Sequence, residues 1–293
     1  MARHIMLNGE ILPSDKPCLC YNNRGLQWGD SFSVQLRGNS CIVYDFDMYF
    51  KCIEQMIEIL GLQNDTFSSK SFANDIQLLL RKNRIYKEFS ATITIFRNSS
   101  DNHKIASDNS FSILISTESL PHEFYSINTN GIFTDVLELP ETIQRDSLPD
   151  FPWEVLCASQ KEKYGLDDII ITDMNGNFRR SIYSDIFFMK DKSLIYASSP
   201  ETISSNKVFA TRIAKLASKN LGMTIYECPI NEQNIKEIDS MFLADPINGI
   251  RWVVGLGKNR LYKGEVEKIA FEVYNYYKTG IDKKKQILLF GDK

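Results

Sequence analysis

The chain has 293 residues, enough for about two domains of ordinary size. Its hydrophobic fraction is 43% and its charged fraction 24%, and 34 Lys and Arg against 37 Asp and Glu leave a net charge of −3. That near balance argues against a nucleic-acid binder acting by bulk phosphate neutralisation, and 15 Gly with 9 Pro are too few for a disordered or collagen-like chain. The opening MARHIMLNGE lacks the apolar stretch of a secretory signal, and no run of about 18 apolar residues is present to span a membrane. A cytoplasmic protein without membrane contact is expected. The six cysteines, at 18, 20, 41, 52, 157 and 228, are scattered, so free thiols are expected rather than disulfides. With only His4, His103 and His122, no metal site and no Ser-His-Asp or Cys-His arrangement is expected.

In chain order, residues 5–12 read as a hairpin turning at Asn8-Gly9. Residues 31–37 alternate as a strand with Phe32, Val34 and Leu36 on one face, and a turn at Arg37-Gly38-Asn39 leads into a strand over 39–44. Asp45 or Asp47 caps an amphipathic helix over 48–60, ended by Gly61, and a second helix covers 71–83. Strands follow at 89–97 and 110–116, and a seam near 117–126 separates a domain over 1–120 from one over 121–293. In the second domain helices are expected over 152–164, 207–220 and 266–278, and a short charged helix over 231–239. Strands are expected at 168–172, 178–180, 185–189, 193–197, 240–244 and 250–254. The basic run 283–285 reads as a solvated surface.

Three segments carry a resemblance. The first is NNRGLQWGDSFSVQLR, in which Arg24, Gly25, Gly29, Asp30 and Arg37 match an Arg-Gly-x-x-Tyr-Gly-Asp-Gly-x-x-Glu-Thr-x-Arg pattern, Trp28 standing for the Tyr. The second is EKYGLDDIIITDMNGNFRRSIYSDIFFMKDKSLIYAS, like a segment running through an acidic pair and a buried strand to Glu-Gly-Ser-x-Ser-Asn-Ile-Phe. The third is MFLADPINGIRWVV, similar to FLTN-x-x-x-GI-x-PV. In this order and spacing the chain resembles the fold-type IV pyridoxal-phosphate enzymes, which include branched-chain and D-amino-acid aminotransferases and 4-amino-4-deoxychorismate lyases. The resemblance implies a two-domain α/β (α+β) architecture like that of D-amino-acid aminotransferase, a cofactor cleft between the domains, and a homodimer.

The resemblance also assigns positions, and this chain departs from most of them. The lysine that holds the cofactor aldehyde falls on Ser147, and no lysine lies between Lys104 and Lys161. The carboxylate facing the pyridine nitrogen falls on Arg180, a cation of the wrong sign for keeping that nitrogen protonated. The phosphate arginine falls on Cys52, and the phosphate-binding helix start on Lys207-Val208-Phe209-Ala210, whose Phe209 cannot donate to phosphate. Ala244-Asp245-Pro246 replaces a hydroxyl-bearing turn. These departures predict a degenerate member with no catalytic residue and no bound cofactor. Arg37, Arg180, Lys207 and Trp28 then line the former cleft, where the three cations suit a small anionic ligand. The alternative is an active enzyme that holds pyridoxal phosphate through a non-standard site.

Overall fold

The computed structural model describes residues 3–40, 42–63, 67–98, 108–121, 129–138, 151–173, 175–197 and 205–279. They form two compact units, one from the residues up to 121 and the other from 129 onward.

The first unit is built on a six-stranded antiparallel sheet. β1 (His4–Leu7) and β2 (Glu10–Pro13) make a hairpin whose turn residues Asn8 and Gly9 both have positive φ, as this tight turn requires. A five-residue helix, α1 (Arg24–Trp28), precedes β3 (Ser31–Asn39). The turn after β3 falls at Ser40 rather than at Gly38, since β3 pairs with β5 (Glu88–Arg97) through Asn39 before turning into β4 (Ile42–Val43). Gly38 serves close approach instead: a Cβ there would collide with the Ile42 carbonyl oxygen and the Phe89 ring. With β6 (Phe111–Ser119) the strand order is β2-β1-β6-β5-β3-β4.

Phe32, Val34 and Leu36 pair with Ile95, Ile93 and Ala91 across β3 and β5, and all six are buried. α2 (Phe46–Ile59) packs on β3, and α3 (Ser69–Asn83) on β1 and β6. Their stripes, Ile53 and Met56 on α2 with Phe72, Ile76 and Leu79 on α3, complete this core. Each such side chain contributes roughly 1.5–3 kcal/mol relative to leaving it exposed. α2 starts two residues before the expected 48, and Asp45 precedes it without a side-chain cap hydrogen bond. α3 carries a capping box between Ser68 and Ser71.

The second unit holds a nine-stranded mixed sheet in the order β12-β11-β10-β13-β14-β7-β8-β9, with β15 paired to β14. Its strands are β7 (Ile132–Glu138), β8 (Asp168–Thr172), β9 (Phe178–Ser181), β10 (Asp185–Lys190) and β11 (Ser193–Tyr196). They continue with β12 (Thr224–Glu227), β13 (Ser240–Asp245), β14 (Gly249–Leu256) and β15 (Asn259–Arg260). The helices are α4 (Phe151–Tyr164), α5 (Asn206–Leu221) and α6 (Val266–Thr279). β8, β10 and β13 are buried almost throughout, as their apolar runs predict, and Phe187 stacks on Phe242 at 4.9 Å across β10 and β13.

The chain passes from edge strand β9 directly into interior strand β10 through residues 182–184, and the two strands lie against each other. The sheet therefore curls back at this turn, drawing the start of β8, the end of β9 and the start of β10 together. The expected charged helix over 231–239 is only a single 3-10 turn, Asn234–Glu237. α1 and β12 escape sequence reading because one is five residues long and the other is a largely exposed edge without alternation. The basic run 283–285 lies outside the described residues.

The matched opening motif holds this fold. Asp30 accepts from Arg24 Nε at 2.8 Å and from Arg97 Nε at 2.9 Å, tying α1 to β5. Glu88 is 1% exposed and accepts from Arg37 Nε at 2.8 Å, Asn39 Nδ2 at 2.6 Å and the Tyr44 hydroxyl at 3.1 Å. Glu88→Ala leaves the Arg37 charge buried without its partner and is expected to cost about 3–5 kcal/mol by chemical denaturation. Tyr44→Phe, which removes one hydrogen bond to a charged group, is expected to cost about 1.5–3 kcal/mol.

Candidate functional site

A buried polar cluster is centred on β8, β10, β13 and β14 of the second unit. Asp168 opens β8 at 3% exposure. Its Oδ1 accepts from the backbone amides of Ile169 and Ile182, at 2.9 and 3.3 Å. Its Oδ2 accepts from Ser181 Oγ at 3.2 Å and Arg251 Nη2 at 2.6 Å. The same Arg251 nitrogen donates to Ser184 Oγ at 2.9 Å and lies 3.8 Å from the Asp245 carboxylate. Ser184 Oγ donates to Asp245 Oδ2 at 2.6 Å.

Asp245 ends β13 and closes the turn into β14. Its Oδ1 accepts the backbone amides of Ile247 at 2.9 Å and Asn248 at 2.7 Å, and the Asn248 side chain donates to both carboxylate oxygens. The turn thus forms a small nest of amides filled by its own carboxylate.

Asp185 stands apart. It is 8% exposed, and its Oδ2 has no hydrogen-bond partner among the described residues. Burial, reinforced by the negative charge of Asp245, pushes its pKa up to about 7 against the opposing pull of the Tyr196 hydroxyl, Lys207 and Arg180.

Chemically Asp168 and Asp245 are satisfied from within the cluster, while Asp185 Oδ2 and Arg251 Nε are buried without a hydrogen-bond partner among the described residues. The hydroxyls of Ser181 and Ser184 are fully buried, and each both donates to a carboxylate and accepts a donor, Ser184 N for the one and Arg251 for the other. Neither is set up as a nucleophile beside a base. Among the described residues no group of three His, Cys, Asp or Glu side chains is placed to hold a metal ion.

The residues singled out in the sequence fall in both units, and each cation among them has an acidic neighbour within its own unit. Arg37 lies in the first unit, 4% exposed, against Glu88. Trp28 ends α1 in the same unit and is 44% exposed. Arg180 and Lys207 lie in the second unit, both close enough to Asp185 to favour its charged form. Arg180 Nη1 donates to the Ile182 carbonyl at 2.8 Å and approaches Glu154 Oε1 at 3.4 Å, and Lys207 Nζ pairs with Glu227 Oε1 at 2.9 Å. Phe209 is buried, stacked on Tyr277. Cys52 is buried on α2, and burial pushes its thiol up to about 11, which makes it inert. Ser147 lies outside the described residues.

Sequence reading missed Arg251 and the linking role of Ser181 and Ser184. The available signal was Arg251 itself, a charge inside the otherwise apolar run GIRWVV.

The sequence pattern of the amino-transferase class IV family matches residues 35–255. No curated protein matches the chain by sequence. Among solved structures, a branched-chain aminotransferase from Thermoproteus uzoniensis with norvaline is similar at 13% identity and a TM-score of 0.80, with 97% of each chain covered. The branched-chain amino acid aminotransferase of Escherichia coli is similar at 16% identity and a TM-score of 0.80, covering 94% of this chain and 95% of its own. The enzyme of Thermobaculum terrenum in its PLP form is similar at 13% identity and a TM-score of 0.77, with 94% of each covered.

Arg251→Ala is expected to destabilise the protein by about 3–5 kcal/mol, because Asp168 and Asp245 stay buried without their cation. Adding Asp168→Asn should recover part of that loss in a double-mutant cycle read by urea denaturation. Asp185 supplies a pH test. Its folded pKa is raised above the roughly 3.9 of an unfolded Asp, so the native state binds the proton more tightly and this group's contribution to stability falls as pH rises from about 4 through about 7. Asp185→Asn removes that slope, so its stability advantage over wild type is expected to widen between pH 5 and pH 8.

Proposed function

The chain belongs to the amino-transferase class IV family, and we propose that it is a member whose cofactor chemistry has degenerated, so that it acts by binding rather than by transamination. The observation that carries this reading is the Asp245 carboxylate, which takes the amides of Ile247 and Asn248 in the turn where the family resemblance calls for a hydroxyl-bearing phosphate contact. Amides engaged by an internal carboxylate are not offered to a phosphate dianion, and the carboxylate repels one.

Further support comes from the other positions. Arg180 puts a guanidinium, drawn toward Glu154 and the Ile182 carbonyl, where a carboxylate is needed beside the pyridine nitrogen. Cys52 stands as a buried thiol at the phosphate-arginine position, and Ser147 at the lysine position. On this reading the residues present do not fit pyridoxal phosphate. The small anionic ligand loses its electrostatic basis too, since Arg37, Arg180 and Lys207 face Glu88, Glu154 and Glu227. An interaction protein is the form of the proposal that remains, with a second copy of the chain as the partner that family resemblance favours. Among the described residues no helix is long and apolar enough to cross a membrane.

The test is titration of the purified protein with pyridoxal phosphate, followed by absorbance, borohydride reduction and peptide mass mapping. The expected outcome is no new absorbance band and no lysine tagged. One lysine tagged stoichiometrically overturns the proposal and returns the chain to the cofactor-dependent aminotransferases and lyases.

A further inference from the structure

The first unit contains a cavity of about 820 Å³, within the range of small-molecule sites. Its apolar wall is aromatic: Phe67 meets Phe72 at 5.8 Å and Phe111 at 5.7 Å, ring centroid to centroid, the second pair edge-on. Phe72 and Phe111 are 1% and 2% exposed, while Phe67 is half-buried. Phe67 is therefore the ring that presents area to the cavity, backed by the almost wholly covered Phe72 and Phe111.

The described lining includes Asp75 and Asp108 and no lysine or arginine. The two carboxylates differ. Asp108 is engaged by Ser110, accepting from its backbone amide at 2.8 Å and its hydroxyl at 2.6 Å. Asp75 lies one helical turn beyond Ser71 and Phe72 on the same face of α3, and makes no hydrogen bond or ion pair among the described residues. It is half-buried, and burial alone raises its pKa. A half-buried carboxylate with no donor beside it is a group that a cation seated in the cavity would pair with. The surrounding polar side chains do not supply that donor. Asn8 bonds to Ser112 and to the Ile113 amide, and Asn98 to Ser110 and Ser112.

We propose that this cavity is a binding site for a small organic ammonium with an aromatic or apolar body, its charge on Asp75 and its body against Phe67, which Phe72 and Phe111 hold from behind. Aromatic faces attract cations, and the carboxylate fixes which end of the ligand points inward. The site lies within the first unit, and the proposal stands independently of the cofactor chemistry of the family.

The experiment is isothermal titration of the full chain with 2-phenylethylamine and with the neutral 2-phenylethanol, on wild type, Asp75→Asn and Phe67→Ala. The amine is expected to bind at least about tenfold more tightly than the alcohol. Asp75→Asn is expected to bring it down to the alcohol's level, and Phe67→Ala to weaken both. No binding of the amine to wild type, equal binding of the alcohol, or amine affinity unchanged in Asp75→Asn would each overturn the proposal. Asp75→Asn is isosteric and breaks no described contact, so it keeps the test decisive if Phe67→Ala fails to fold; circular dichroism monitors both.

Discussion

Three nearly buried carboxylates must be accommodated in the second unit: Asp168 and Asp245 share the guanidinium of Arg251, and Asp185 lies beside Asp245. A buried ion without partners costs several kcal/mol, so the surrounding structure is arranged as donors. Asp168 draws in Ser181, Arg251 and two backbone amides; Asp245 draws in Ser184, Asn248 and the amides of its own turn. Asp185 is left with a bare oxygen and a carboxyl group that prefers its proton up to near neutral pH. The curl of the sheet between β9 and β10 exists within this arrangement, since the turn at 182–184 is held to Asp168 by Ser181 and the Ile182 amide and to Asp245 by Ser184.

The first unit solves the same problem twice. Asp30 is held by Arg24 and Arg97, and Glu88 by Arg37, Asn39 and Tyr44. Three of these, Arg24, Asp30 and Arg37, belong to the motif that first suggested the family. Their described contacts hold strands and a short helix in place. A motif retained for this reason persists whether or not the chemistry does, so likeness of fold does not by itself carry likeness of activity. The similarity to branched-chain aminotransferases at 13–16% identity is a similarity of fold.

The acidic lining of the first unit's cavity is the counterpart of that economy. Asp30, Glu88, Asp168 and Asp245 hold elements in place and are met by several donors, whereas Asp75 is met by none among the described residues. The contrast between Asp75 and Asp108 within one cavity separates a group that shapes the wall from a group that faces whatever enters.

Much of the fold was legible before any coordinates. Alternation placed Phe32, Val34 and Leu36 on one face of β3, and the 3.6-residue stripe located α2, α3, α5 and α6, because these patterns report burial that each segment specifies locally. The turn at Asn8-Gly9 and the helix end at Gly61 were equally local, since a positive φ is a property of one residue. The family, too, was carried by order and spacing along the chain. Partnership was not legible. Arg37, Arg180 and Lys207 read as cations available to a ligand, and only tertiary structure brought Glu88, Glu154 and Glu227 against them. Asp245 read as a charge that would repel phosphate, but that it fills the amides of its own turn, and that Arg251 reaches both it and Asp168, 83 residues away, follows from how the sheet curls. The sequence by itself determined which residues are buried and where the chain turns, because those depend on near neighbours. Which charge meets which was decided by the tertiary structure, because electrostatic partners are chosen by distance in space.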